Sequence, residues 1–226
     1  MITSFFNASL GYGAMRAARN LILTLALPVS AAFAEPVRIL ALGDSLTAGY
    51  GLVEQEGLVP QLNAWLAEQG AEVTVVNAGV SGDTSAGGLS RLAWSLDPTI
   101  NAMMVILGGN DLLRGLPPAT TRTSIDGILA EAQTRGLPVL LVGMKAPGNF
   151  GPDYKESFDR LYPDLATQYG ALHIDSFFGL LAPEATDPAA LQPFMQPDGI
   201  HPNAEGVRII AANLGPHLLE LAQKVQ

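Results

Sequence analysis

The chain has no cysteine and only three histidines among its 226 residues, which excludes a disulfide framework and any thiolate metal site. No two histidines stand at H-x-x-x-H spacing, so no metal is expected. Also missing are a G-x-S-x-G elbow, a Walker lysine beside the glycines of residues 79–88, and a G-x-G-x-x-G run opening a helix. Nucleotide cofactors are therefore not indicated, and the expectation is catalysis without a cofactor. Basic residues are scarce as well: 12 Lys and Arg stand against 21 Asp and Glu, a net charge of −9. That balance argues against nucleic acid as a partner and opposes adsorption to an anionic membrane surface.

A long apolar run is absent too. The best, Leu21–Val29, has nine residues, far short of the roughly 20 a bilayer-spanning helix requires. It follows Arg16 and Arg19 and precedes the small residues of Ala32-Phe33-Ala34, which reads as a secretory signal peptide over residues 1–34 cleaved before Glu35. Met15 offers a second start, since Met15-Arg16-Ala17-Ala18-Arg19 is the better signal opening. The expected product is periplasmic or secreted, monomeric and without a stable membrane anchor. Removing residues 1–34 takes two of the 12 basic residues and no acidic one, leaving 10 against 21, a net charge of −11.

What is abundant is apolar sequence, 48% of the chain with only 15% charged, enough for one well-buried domain over residues 35–226. Near-continuous apolar runs at Val37–Leu42, Val73–Val76, Met103–Leu107, Pro138–Val142 and Ala171–Ile174 read as strands covered on both faces. Between and after them, Gly57–Gln69, Thr84–Leu96, Thr120–Arg135, Tyr154–Tyr169 and Asn203–Lys224 read as helices. Asp83 or Thr84, and Asn203, suit N-caps, while Gly70, Gly136 and Gly170 suit C-caps. The alternation predicts an α/β fold, a three-layer α/β/α sandwich around a five-stranded parallel sheet. The Pro-rich stretch from Pro183 to Pro197 reads as a loop beside a site.

The first strand runs straight into Gly43-Asp44-Ser45-Leu46-Thr47, which places Ser45 at the carboxyl rim of the sheet, where catalytic groups gather in such folds. A serine there exposes its hydroxyl while its own N–H faces a developing oxyanion. Asp44 and Ser45 would also serve as an ordinary helix cap. The far end of the chain favours the catalytic reading. Pro197-Asp198-Gly199-Ile200-His201-Pro202 sets a carboxylate three residues before an imidazole in a turn, so that Asp198 orients the ring and His201 takes the serine proton. His173 and His217 fall in a strand and a helix and read as packing or surface residues. Two more glycine-rich blocks follow strand ends. From them Gly79 would supply an N–H and Asn110 a side-chain amide, completing with the Ser45 N–H a three-donor oxyanion hole.

Gly43-Asp44-Ser45-Leu46, Gly79, Gly108-Gly109-Asn110-Asp111 and Asp198-Gly199-Ile200-His201-Pro202 resemble, in type and order, the blocks of the SGNH (GDSL) hydrolases. Longer matches, among them Gly43–Tyr50, Ser81-Gly82-Asp83-Thr84-Ser85 and Asn110–Gly115, resemble the bacterial thioesterase I, lysophospholipase L1 and arylesterase branch. The resemblance implies a flavodoxin-like sheet, a Ser45–His201–Asp198 triad and the same oxyanion donors. It implies hydrolysis of carboxylic esters and thioesters, such as aryl esters, lysophospholipids and acyl-CoA, through an acyl-enzyme. It further implies that the loop with Leu112, Leu113, Gly115 and Leu116 lines the acyl groove. Phe150, with Tyr154 and Leu191–Met195, is expected to form the opposite wall. The partner is accordingly a small ester or thioester with an acyl chain. Two rival readings stay open, a carbohydrate O-acetylesterase of the same superfamily and a non-catalytic ligand-binding protein on the same fold.

Overall fold

The computed structural model describes residues 36–182 and 188–225. The leader read at residues 1–34 lies outside them, as does residues 183–187 of the Pro-rich loop. Five strands, β1 (Val37–Gly43), β2 (Val73–Gly79), β3 (Ala102–Ile106), β4 (Val139–Val142) and β5 (Leu172–Ile174), form one parallel sheet in the order β2-β1-β3-β4-β5. Among the described residues, seven α-helices accompany them: α1 (Ser45–Ala48), α2 (Leu58–Glu68), α3 (Ser85–Ser95), α4 (Gly109–Leu113), α5 (Pro118–Thr134), α6 (Pro152–Tyr169) and α7 (Ala204–Ala222). Helices α2 and α7 pack together, while α3, α5 and α6 pack in succession, giving the expected three layers.

The strands form where burial demands them. Every residue of β3 and β4 is buried, so both consist of apolar side chains that helices cover on two faces. Strand β2 lies at the edge and buries only Val75. It pairs with β1 to the last residue, so that Gly43 stands opposite Gly79.

Local chemistry sets the helix ends. Thr84 caps α3 by accepting the Gly87 N–H, and Asn203 caps α7 by accepting the Gly206 N–H. Asp83, the other capping candidate, instead pairs with Arg91 at 2.6 Å. Helices α5 and α6 begin two residues earlier than the periodicity suggests, at Pro118 and Pro152, because proline is suited to the first helical position. Gly170 ends α6 in the left-handed region with φ 64°.

Strand order 2-1-3-4-5 reverses direction between β1 and β3. The chain leaves β1 toward β2 on one side and leaves β3 toward β4 on the other, which opens a crevice at their carboxyl ends. Ser45 begins the turn after β1 and Asn110 lies in the turn after β3. Both turns wind into the short helices α1 and α4, which apolar periodicity alone does not reveal.

Candidate active site

Helix α1 is only four residues long, and it starts on Ser45 because Asp44 caps it, its carboxylate accepting the Leu46 N–H at 3.0 Å. Directly beneath lie the two facing glycines. A methyl group on Gly79 would come within 2.9 Å of Ala48 Cα and 2.8 Å of Thr47 C, and one on Gly43 within 2.7 Å of Thr47 Cβ. The absence of side chains at both positions lets α1 rest against the strand ends and holds Ser45 at the rim.

From the other end of the sequence, the loop before α7 brings in the imidazole. His201 Nε2 lies 2.8 Å from Ser45 Oγ, and His201 Nδ1 lies 2.7 Å from Asp198 Oδ2. With the proton on Nδ1, the ring donates to Asp198 and accepts from the Ser45 hydroxyl. The Asp198 carboxylate also accepts the N–H groups of Ile200 and His201 through Oδ1. The hydrogen bond from the His201 side chain, followed by those two N–H groups, holds its pKa down at about 2. Asp198 is thus an anion at any pH near neutrality, held against the Nδ1 side of the imidazole. The Tyr50 ring leans on the other side of the imidazole, 4.6 Å between centroids.

Asn110 sits in α4 across the crevice, its Nδ2 donating to Asp44 Oδ2 at 3.2 Å. That bond fixes which end of the amide is nitrogen and leaves its second N–H to face the crevice. Asp44 is itself 1% exposed, and burial, opposed in part by the Leu46 N–H and by Asn110, raises its pKa to about 6. The adjacent Asp111 is fully buried and accepts from Ser85 N at 2.8 Å, Ser85 Oγ at 2.6 Å and Thr121 Oγ1 at 2.9 Å. It ties the starts of α3 and α5 to α4 and so holds Asn110 in place.

Gly79 departs from the donor role expected of it. Its N–H is already given to Asn77 Oδ1 at 2.9 Å, and its lack of a side chain serves the packing of α1. Gly82 is the better-placed glycine. Its φ is 85°, its N–H has no hydrogen-bond partner among the described residues, and its carbonyl accepts Arg114 Nη2 at 2.7 Å. Because Arg114 follows α4 on the β3 side and Gly82 follows β2, that bond draws the Gly82 turn over the end of β1, between them. Gly82 lies in the Ser81–Ser85 block, yet only the backbone conformation and the hydrogen bonds distinguish it from Gly79. Arg91, also overlooked, joins Asp83 to the Gly43 carbonyl, which its Nη2 reaches at 2.8 Å.

A cavity of about 570 Å³ opens beside Ser45. Leu112, Leu113 and Phe150 line it with Met144, Leu191 and Met195, and Ser45, Asn110 and His201 stand at one end. Two residues expected in the groove lie outside the lining. Gly115 backs onto the Phe150 ring, and Leu116 lies behind it, its carbonyl accepting the Tyr154 hydroxyl at 2.9 Å. Tyr154 likewise supports Phe150 from behind, 4.9 Å between rings, instead of forming wall. Among the described residues, Tyr50, Val53, Val80, Trp94, Leu113, Phe150 and Ile200 are large apolar side chains left exposed, and of these Leu113, Phe150 and Ile200 line the cavity. The mouth is therefore rimmed by apolar side chains.

A family model described as "GDSL-like Lipase/Acylhydrolase family" matches residues 41–209. The chain is 38% identical over 206 residues to Esterase TesA of Pseudomonas aeruginosa, covering 90% of this chain and 99% of that one. To "Thioesterase 1/protease 1/lysophospholipase L1" of Escherichia coli it is 37% identical over 176 residues, 76% of this chain and 79% of that one. Among solved structures, AlinE4, an SGNH-hydrolase family esterase, superposes with a TM-score of 0.67 at 41% identity, covering 83% of this chain and 97% of the other.

Proposed function

We propose, for a chain that belongs to the GDSL-like lipase/acylhydrolase family and is thereby an ester hydrolase, that Ser45, His201 and Asp198 carry the reaction through an acyl-enzyme. The observation that carries this reading is the unbroken hydrogen-bonded line from Ser45 Oγ through both imidazole nitrogens to Asp198 Oδ2. In the first half, His201 Nε2 takes the hydroxyl proton as Ser45 Oγ attacks the acyl carbonyl, and the carbonyl electron pair moves onto oxygen. The Ser45 N–H, the Gly82 N–H and the Asn110 amide surround that oxyanion. The tetrahedral intermediate collapses, the leaving alcohol or thiol departs with the His201 proton, and the acyl group stays on Ser45. In the second half, water attacks the acyl carbonyl as the same imidazole removes its proton, and the new intermediate breaks its bond to Ser45 Oγ, which takes that proton back from His201 as the carboxylic acid leaves.

Each removed oxyanion donor costs about 10²–10³ in turnover in well-studied acyl transferases, so three fixed donors account for much of the rate. The apolar cavity and rim favour an acyl chain as the part of the substrate bound. Carboxylic esters and thioesters with short to medium chains, lysophospholipids and acyl-CoA among them, are the proposed substrate class. The leader read at residues 1–34 supports action outside the cytoplasm. Among the described residues, no helix is long and apolar enough to cross a membrane.

The test is a panel of p-nitrophenyl esters from acetate to palmitate, assayed with residues 35–226 and with Ser45→Ala. Loss of activity in the variant, with a parental optimum at medium chains, supports the reading. An acetate-only profile points to a carbohydrate esterase, and equal rates in parent and variant end the serine-hydrolase proposal.

A further inference from the structure

Two loops must meet for the triad to exist. The Ser45 loop belongs to the first strand and the His201 loop to the approach to the last helix, and His201 and Ser45 are 156 residues apart in sequence. The bond between them cannot serve as their fastener, because its proton moves and its geometry changes in every catalytic cycle. Something that stays still has to fix their separation.

Gln196 has the position for it. Its Nε2 donates to Tyr50 O at 2.8 Å and to Pro202 O at 2.9 Å, so one amide bridges the residue just past α1 and the residue just past the imidazole. Beside the His201–Ser45 contact, the bond to Tyr50 joins the two loops directly. Its backbone is equally engaged. The Gln196 N–H donates to His201 O at 2.7 Å, Gln196 O accepts the Gly199 N–H at 2.9 Å, and Met195 pairs antiparallel with Pro202. These bonds close the Asp198–Gly199 turn into a small rigid unit. Asn203 fastens that unit to α7, its Nδ2 reaching the carbonyls of Pro193 and Met195. Gln196 therefore holds the unit's free side.

Opposite, Gly51 fits closely over the amide. Its φ is 78°, and a methyl group there would come within 3.0 Å of Gln196 Cδ. The Tyr50 residue whose carbonyl Gln196 grips is also the one whose ring leans on His201.

We infer that Gln196 is a positioning residue, setting the distance between Ser45 and His201 by clamping Tyr50 O and Pro202 O with one amide. The inference rests on the triad proposed above. Without the clamp the imidazole retains its partner Asp198 and the cavity retains its walls, so the loss falls on proton transfer and not on substrate binding. A misplacement near 1 Å costs on the order of 10² in rate, and partial relaxation makes about tenfold the expected loss.

The experiment uses Gln196→Met, which keeps the volume and removes the donors, beside Gln196→Ala. Three readouts are taken: kcat and KM on p-nitrophenyl butyrate, the rate of Ser45 labelling by a fluorophosphonate, and the native circular dichroism at the assay temperature. Expected are a fall of about tenfold in kcat and in labelling rate, KM within about twofold of the parent, and an unchanged spectrum. Parental rates in both variants, a loss confined to KM, or a loss that follows a changed spectrum overturns the inference. A parent that the fluorophosphonate fails to label overturns instead the triad on which it rests.

Discussion

Replacing Gly79 with alanine tests how the nucleophile is held. Gly79 has an ordinary backbone conformation, absent from the positive-φ glycines, so any cost of the substitution arises from the added methyl. That methyl meets backbone, with Thr47 C at 2.8 Å and Ala48 N nearer still, where ordinary contact begins at 3.4 Å. Helix α1 must therefore retreat by about 0.6 Å or more, taking Ser45 with it. Overpacking of this kind costs about 1–3 kcal/mol. In a domain of this size each kcal/mol lowers Tm by about 2–4 °C, giving a fall of roughly 2–12 °C. On the activity side, a shift of more than half an ångström at the nucleophile should lower kcat/KM about tenfold or more. Thermal unfolding by circular dichroism and hydrolysis of p-nitrophenyl butyrate read the two effects. A Gly79→Ala protein with parental Tm and parental kcat/KM refutes the idea that α1 is seated on that glycine.

Gly127→Ala is the matching control: it lies inside α5, its methyl meets only the flexible Leu89 side chain at 3.0 Å, and helix propensity favours alanine by about 0.5–1 kcal/mol. Its Tm should equal or exceed the parent's, and a fall would show Leu89 to be immobile. Phe150→Ala should leave acetate turnover near the parent's while reducing the preference for longer chains at least about threefold, since Phe150 lines the cavity yet is 43% exposed. Equal losses across the ester series would remove Phe150 from the acyl site. The buried Asp44, with its pKa raised from 3.8 to about 6, binds its proton more tightly folded than unfolded. Its ionisation therefore lowers stability as pH rises from about 4 to about 6. Asp44→Asn should cancel that fall, seen as a Tm difference between parent and variant that changes across this range and levels off above it. A difference independent of pH would show that Asp44 does not titrate there.

The sheet was legible because β3 and β4 are apolar throughout and β1 and β5 are interrupted only at Arg38 and His173, the composition that a strand covered on both faces requires. Helix ends read less well. Pro118 and Pro152 lie outside the apolar periodicity, although proline at a first helical turn is a recognisable signal. The short helices α1 and α4 escaped because four or five residues cannot show a helical period, and it is these that carry Ser45 and Asn110. Ser45, Asp198, His201 and Asn110 come together across long sequence distances, as the block order implied. Gly79 and Gly82 could not be told apart in sequence, since both are glycines near the end of β2 and only their backbone conformation and hydrogen bonds separate them. Asp111 and Gln196 act through buried or bridging hydrogen bonds, and a one-dimensional reading has no access to such partners.

The sequence separation of 156 between Ser45 and His201 also sets when the chemistry can begin. A ribosome makes the nucleophile well before the base, so a growing chain that has not reached His201 holds only one of the two. Closing so long a loop is entropically costly until every intervening strand has paired. A folding intermediate therefore carries a serine no more reactive than any other, and hydrolytic activity reports, within a single molecule, that the last helix has docked.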